Sequence, residues 1–483
     1  MKNANFFANI NIFPYLCTQI CTNMHFISCI LLSISILMDS PLTKEANISI
    51  LIKDLDSQAV IDEYRSQNVV PPASVMKVMT TAAMLEVYGP DFQFTTTLEY
   101  TGTIENGVLD GDLIVRGGCD PSLGDLKKGQ RFYSQWIQAI RKAGIKTIQG
   151  DIIADMSLLD AEAQNPGWLM EDAGNYYAPG VFALNYMSNT LNVVLTSGPI
   201  GSVAKVIRTE PLYEGLNIIN HVRCTEITYD GAFVYGLPYS NERYITGSVP
   251  SNQGQFGVKS DIPNPGLLLV RHLKQRLNEV GIEVTGEADY RAESFANRGR
   301  VLIYEHQSEP LKNLIAHTNI NSDNLYAEAM FRYMGLAYGK PGTIHNSTEV
   351  LRSFWHRHKV DLSGAIIKDG CGLAPQDAVS AEMFVQVLEY MSKSKHYDDW
   401  LNSLPICGKT GTVSGLFRGT SLEGRVWAKS GTIAGTKNYA GYMFLPDGRR
   451  WVFAILVNSA NGKTHNIQRV IQNYLLDVYK ANR

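Results

Sequence analysis

The run Val70-Pro71-Pro72-Ala73-Ser74-Val75-Met76-Lys77-Val78-Met79-Thr80-Thr81-Ala82-Ala83-Met84-Leu85 decides the fold. Proline is tolerated in a first helical turn and fixes a helical φ there, so the Pro71-Pro72 pair ends an extended segment and opens a helix. The helix is predicted over 73–87 and is apolar almost all round, which suits burial in a helical layer; Gly89-Pro90 stops it. Upstream, Ile48, Ile50 and Ile52 alternate with polar or small residues, the period of a half-buried strand over 47–53. A second strand over 59–64 follows the turn Asp54-Leu55-Asp56-Ser57 and makes a hairpin. At the far end a meander is predicted over 425–433, 438–445 and 451–458, with Pro446-Asp447-Gly448 as its second turn. A closing helix, 466–479, presents Ile467, Val470, Ile471, Tyr474, Leu475 and Val478 to a sheet. Strands from both chain ends thus flank helices, the pattern of an α+β domain with one antiparallel sheet.

Between residues 92 and 287 the texture is different: short β-like runs at 111–118, 150–155 and 192–196, broken by Gly, Asn, Asp and Pro, with helices predicted at 132–143 and 262–281. Helices return after Pro310, at 311–318, 323–335, 346–356 and 381–392. At 483 residues the chain exceeds what one hydrophobic core fills. The expected organisation is a leader (1–38), a discontinuous catalytic domain (39–92 and 288–483), and a β-rich insertion (93–287) with an inner part at about 185–250.

Residues 26–38 form an uncharged apolar run of signal-peptide length, too short to span a bilayer comfortably. Export to the periplasm or cell envelope is expected, with no integral membrane span in the mature chain. A net charge of -3 without a Lys/Arg-rich run speaks against nucleic acid as a partner. Three of the seven cysteines, Cys17, Cys21 and Cys29, crowd into the leader and the rest are far apart, so no disulfide framework is read. Cys17 and Cys21 lack a second ligand pair, and neither metal nor cofactor is expected. The sequence does not fix an oligomeric state.

Three short signatures carry the chemistry: Ser74-Val75-Met76-Lys77, Ser322-Asp323-Asn324 and Lys429-Ser430-Gly431. Each is weak alone, since Ser-x-x-Lys also occurs at 202–205 and 392–395, and Lys-Thr-Gly at 409–411. Context separates them. Ser74 and Lys77 are three residues apart at a helix start and emerge on one face. A serine hydroxyl needs a base, and lysine serves as one when desolvation or a second cation lowers its pKa. Ser322 falls between two helices, where it reads as a proton relay to the leaving amine, with Asn324 anchoring Lys77 and the substrate amide. Lys429 is preferred over Lys409 because it sits in a strand. There Gly431 lets a substrate backbone lie alongside, while Lys429 and Ser430 recognise a terminal carboxylate.

Together with Gly117-Gly118-Cys119-Asp120-Pro121-Ser122-Leu123, Asp155-Met156-Ser157, Asn175-Tyr176-Tyr177, Gly247-Ser248-Val249-Pro250, Asp369-Gly370-Cys371-Gly372-Leu373 and Ala428-Lys429-Ser430-Gly431-Thr432, these motifs resemble the serine penicillin-recognising enzymes. The chain looks most like the D-Ala-D-Ala carboxypeptidase/endopeptidase family of low-molecular-weight penicillin-binding proteins. The resemblance implies a β-lactamase/transpeptidase-like domain interrupted by a large insertion, an acyl-enzyme on Ser74, and peptidoglycan stem peptides and β-lactams as partners. It further implies an oxyanion hole from the N–H groups of Ser74 and Thr432, and an acidic residue of the insertion facing the substrate side chain, for which Asp155 is the candidate. Cys371 stands where relatives carry the serine of Asp-Gly-Ser-Gly, so that serine's contact is not carried over. Two rivals are weighed. A class A-like β-lactamase needs a deacylating glutamate, and no Glu-x-x-Leu-Asn segment follows Asn324. A non-catalytic penicillin-sensing or wall-binding module would be expected to have lost Ser74 or Lys77. Carboxypeptidase and endopeptidase action are not separated by sequence.

Overall fold

A computed structural model describes residues 34–125, 131–293, 295 and 299–482. The expected leader falls almost wholly outside them. Among the described residues no helix is long and apolar enough to cross a membrane. The chain divides into two compact units, one of Met1–Val70, Ser380–Glu389 and Pro405–Arg483, the other of Pro71–Val379 and Tyr390–Leu404.

The first unit is built on a five-stranded sheet in the order Val426–Ile433, Thr436–Phe444, Arg450–Asn458, Asn47–Asp54, Val60–Tyr64, every pair antiparallel. The two chain ends meet in its middle, where Ile50 stands opposite Ile455 on one side and Tyr64 on the other. Register follows from alternation: Ile48, Ile50 and Ile52 share a face with Phe453, Ile455 and Val457, and the helix Thr464–Ala481 lays Ile467, Ile471, Tyr474, Leu475 and Val478 into the same core. Each such side chain contributes about 1.5–3 kcal/mol by leaving water, and a one-residue slip would turn the strand's set outward. Residues 380–389 cover other parts of the sheet: Ala381 N–H donates to Ser49 Oγ (3.1 Å), and Tyr442 OH donates to the Leu388 carbonyl (2.7 Å). The hairpin turn is closed by Asp54, whose Oδ1 accepts from Ser57 N–H at 2.8 Å.

In the second unit the helix Met76–Tyr88 is buried on all sides from Met76 to Leu85 and packs against the helices Leu311–Asn321, Asn324–Met334 and Ile344–Arg357. Gly89, at φ 82°, ends it and donates to the Leu85 carbonyl. Among the described residues the intervening chain forms four small sheets. The largest is mixed, in the order Ala288–Arg291, Ile152–Asp155, Leu113–Arg116, Thr95–Tyr100, Val301–Gln307. A buried ion pair, Arg243 Nε to Asp261 Oδ1 at 2.7 Å, links strands of two others. The architecture is α+β with a large β-rich insertion. The α-helix predicted from residue 73 begins at Met76, with Ala73–Val75 forming a 3-10 turn; the helix predicted over 311–318 runs on to Asn321, and the short helix Tyr397–Ser403 is one the sequence reading lacks.

Candidate active site

Ser74 is the middle residue of that 3-10 turn, and the turn is reached through a backbone that side chains rarely adopt: Ala73 has φ 47°. Such a residue costs of order 1–3 kcal/mol and persists only where its surroundings hold it. Here the holder is Gly372, at φ 80°. A Cβ on Gly372 would lie 1.8 Å from the Ala73 carbonyl oxygen, so only glycine fits.

Lys77, one helical turn on, is fully buried, and its Nζ lies 2.9 Å from Ser74 Oγ, 2.6 Å from Asn324 Oδ1 and 2.8 Å from the Cys371 carbonyl. The orientation of Asn324 is forced, because its Nδ2 donates to the Tyr177 carbonyl at 2.8 Å and a carbonyl can only accept. Two of the three groups around Nζ are therefore pure acceptors. A neutral amine gives them its two N–H bonds and is left with one lone pair, aimed at the Ser74 hydroxyl. Burial drives the Lys77 pKa below its ordinary value of 10.5, opposed by the fields of Cys371, Asp369, Asp323 and Glu328. Geometry and desolvation both favour a base.

Asp323 caps the helix Asn324–Met334 by accepting from Tyr326 N–H at 3.1 Å, and its Oδ2 meets His317 Nε2 at 3.2 Å. Ser322 is the C-cap of the preceding helix, in the left-handed region at φ 59°. It lines a cleft of about 540 Å3 with Asn324, Tyr177, Ser188 and Lys259. The structure thus joins Ser74, Lys77 and Asn324 directly, and sets Ser322 on a cleft wall beside Asn324.

Behind Lys77, the ligand atoms of Glu328, Asp369 and Cys371 lie within 4.8 Å of one another. This trio is poorly suited to a metal, because the Asp369 oxygens already accept from four backbone N–H groups and the Trp168 indole. Burial and the neighbouring Asp369 push the Glu328 carboxyl up to about 8.

In the first unit, Val426–Ile433 is an edge strand, its Val426–Ala428 half covered by residues 405–407 through Cys407 N–H to the Val426 carbonyl and Ala428 N–H to the Pro405 carbonyl. Lys429 is buried with Nζ 2.7 Å from the Ser430 carbonyl, and Gly431 is paired with Asn438. Ser430 Oγ is 2.7 Å from Thr412 Oγ1, and Thr432 Oγ1 accepts from Lys437 Nζ at 2.8 Å. Burial pushes Lys437 down to about 8. Lys409 is on the surface, paired with Glu423 at 2.9 Å.

Asp155, the acidic candidate of the insertion, faces Arg300. It is fully buried in its strand, with Oδ2 2.7 Å from Arg300 Nη1 and Oδ1 accepting from Ser157 N–H at 3.0 Å, and Glu99 reaches the same guanidinium at 3.2 Å. Its carboxylate is committed to the fold. The carbonyls of Cys371 and Tyr177, both essential to the geometry of Lys77, escape sequence reasoning because a backbone carbonyl has no residue type. Thr412 and Lys437 escape it because neither belongs to a motif.

A family model described as the D-Ala-D-Ala carboxypeptidase 3 (S13) family matches residues 33–477. The chain is similar to D-alanyl-D-alanine carboxypeptidase DacB of Haemophilus influenzae, 28% identical over 427 residues that cover 86% of each chain. It is also similar to a D-alanyl-D-alanine carboxypeptidase of Actinomadura sp., at 26% identity over 81% of this chain and 74% of the other. Among solved structures, penicillin binding protein 4 of Haemophilus influenzae superposes with a TM-score of 0.81 at 26% identity, over 92% of this chain and 99% of that one.

Proposed function

The chain belongs to the D-Ala-D-Ala carboxypeptidase 3 (S13) family, and from that premise we propose that Ser74 is its acylated nucleophile and Lys77 the base that activates it. The protein is a serine-type hydrolase, a D-Ala-D-Ala carboxypeptidase or endopeptidase that binds penicillin. One observation supports the residue assignment above all others: Lys77 Nζ has two acceptor-only partners and the Ser74 hydroxyl as its third contact.

In the reaction the Ser74 proton passes to Lys77 Nζ as Oγ attacks the carbonyl carbon of the penultimate D-alanine. Collapse of the tetrahedral adduct breaks the C–N bond, and the proton held by Lys77 reaches the leaving amine through the Ser322 hydroxyl. That amine is free D-alanine in carboxypeptidase action and a cross-linked side chain in endopeptidase action. Water then attacks the acyl carbon, giving its proton to the same base; collapse of this second adduct breaks the bond from the acyl carbon to Oγ, and Lys77 returns the proton to Ser74 Oγ. Lys429, Ser430, Gly431 and Thr432 recognise the peptide's backbone and terminal carboxylate. We keep the sequence-based bounds for the division of labour, with 39–92 and 288–483 catalytic and 93–287 inserted, and we propose export to the envelope directed by residues 26–38.

The test is incubation of the full chain with a labelled penicillin, peptide mapping of the adduct, and a parallel assay of D-alanine release. The label is expected on the peptide containing Ser74 and is expected to vanish in Ser74→Ala. Folded protein that takes label elsewhere, or releases D-alanine after Ser74→Ala, overturns the assignment.

A further inference from the structure

The carboxylate of Asp369 is fully buried and gathers an unusual number of donors. Oδ1 accepts from the N–H groups of Cys371 (3.1 Å) and Gly372 (2.5 Å). Oδ2 accepts from those of Leu373 (2.9 Å) and Ala374 (2.7 Å), and from the indole Nε1 of Trp168 (2.8 Å), with the Cys371 thiol at 3.5 Å. A carboxylate offers about four lone-pair sites, so a single side chain is saturated by the turn it shapes. That turn has two products already met. The Cys371 carbonyl is delivered to Lys77 Nζ at 2.8 Å, and Gly372 is pressed against the Ala73 carbonyl beneath the nucleophile.

We infer that Asp369 is a positioning residue for the base. By fixing the Cys371 peptide plane it takes up one N–H of the Lys77 amine and turns the lone pair toward Ser74. The inference rests on Lys77 acting as the base. Trp168, about two hundred residues earlier in the chain, is the strut that holds Asp369 from the far side, so part of the inserted segment takes part in orienting the base. The titratable groups facing Lys77 are Cys371, Asp369, Asp323 and Glu328; burial keeps the Cys371 thiol and the Glu328 carboxyl protonated near neutral pH, so the charges that favour protonated Lys77 there are those of Asp369 and Asp323. Asp369 therefore acts on Lys77 in two separable ways, through the position of a carbonyl and through its own charge.

Asp369→Asn and Trp168→Phe separate the two. Asparagine keeps one acceptor but turns an NH2 group toward backbone N–H donors, which frees the Cys371 carbonyl and removes the charge. Phenylalanine removes only the indole donor. The readout is the single-turnover rate of acylation of the full chain by a chromogenic penicillin across pH, with the adduct located by mass. For Asp369→Asn we expect a loss of about 100-fold near neutral pH, the cost typical of misplacing a reacting group by an ångström. We also expect its acid limb to move to lower pH, because a charge that raised the lysine's proton affinity is gone. For Trp168→Phe we expect a several-fold loss with the limb in place. A folded Asp369→Asn protein that acylates within about threefold of wild type, or that loses rate with its acid limb unmoved, overturns the inference. Should Asp369→Asn fail to fold, Trp168→Phe decides alone, and an unchanged rate there overturns it. Lys77→Met is run beside them. If that variant keeps wild-type acylation, the base assignment itself falls and the inference with it, whereas a dead Lys77→Met protein beside an unaffected Asp369→Asn protein sinks only the inference.

Discussion

Glu328→Gln should make this protein more stable, and increasingly so as pH rises. Glu328 is 1% exposed, its Oε1 accepts from Gly370 N–H at 2.5 Å, and burial beside Asp369 holds its proton up to about pH 8 against an ordinary 4.5. Below the lower value both folded and unfolded chains are protonated, and the group contributes nothing to the pH dependence. As pH climbs, the unfolded chain gives up this proton while the folded one keeps it. The unfolded state then binds fewer protons, and stability falls with pH until the folded carboxyl also ionises near 8. At about 1.4 kcal/mol for each tenfold difference in proton affinity, the gap between 4.5 and about 8 sets a ceiling of about 5 kcal/mol. Local relaxation around a buried acid lowers this, and roughly 2–5 kcal/mol is the expected range. Glutamine keeps the carbonyl that Gly370 needs and cannot ionise, so the decline should disappear. The assay is urea unfolding of wild type and Glu328→Gln across this window. The two proteins should nearly coincide at its acid end and separate toward its alkaline end, with the variant above. Parallel curves, or a variant that loses ground as pH rises, would refute the reasoning.

Asn324→Ala strips Lys77 of one acceptor and leaves the Tyr177 carbonyl unpaired. Each orphaned group costs about 1–3 kcal/mol, and penicillin acylation should drop by about 100-fold as the amine loses its orientation, read by denaturation and stopped-flow respectively. Gly372→Ala puts a Cβ 1.8 Å from the Ala73 carbonyl at a φ of 80°, a clash with backbone that no rotamer change relieves. Acylation should collapse in protein whose insertion sheets, probed by hydrogen exchange, remain protected. Arg243→Ala leaves Asp261 buried and uncompensated, at about 3–5 kcal/mol, and should appear as local protease sensitivity of residues 190–261 with Ser74 acylation retained.

Much of the sheet is legible in the sequence because its code is local. Ile48, Ile50 and Ile52 announce a strand by alternation, the meander is marked by the Pro446-Asp447-Gly448 turn, and Thr464–Ala481 shows its apolar stripe at helical spacing. Ser74 and Lys77 are legible for the same reason, being one turn apart after a helix-opening proline pair. The rest is not local. Nothing around Asp155 signals that Arg300 will neutralise it, because the partner arrives from 145 residues away. The left-handed Ala73 is invisible since alanine carries no preference for it; its cause is a glycine three hundred residues on. Cys371 shows the limit from the other side. Its thiol, the feature that departs from the family pattern, is turned to Asp369, and what Lys77 uses is the carbonyl that any residue would supply.

The company Lys77 keeps has one more consequence. A hydroxyl, an amide oxygen and a carbonyl surround it, and among the described residues no carboxylate forms a salt bridge with it. Dissolved ions weaken an interaction by crowding between exposed charges within a Debye length of about 8 Å. They have no access to an amine sealed from solvent whose direct contacts are neutral dipoles. The contacts that orient this base should therefore hold from dilute medium to brine, and changes of charge on the chain's surface leave them in place.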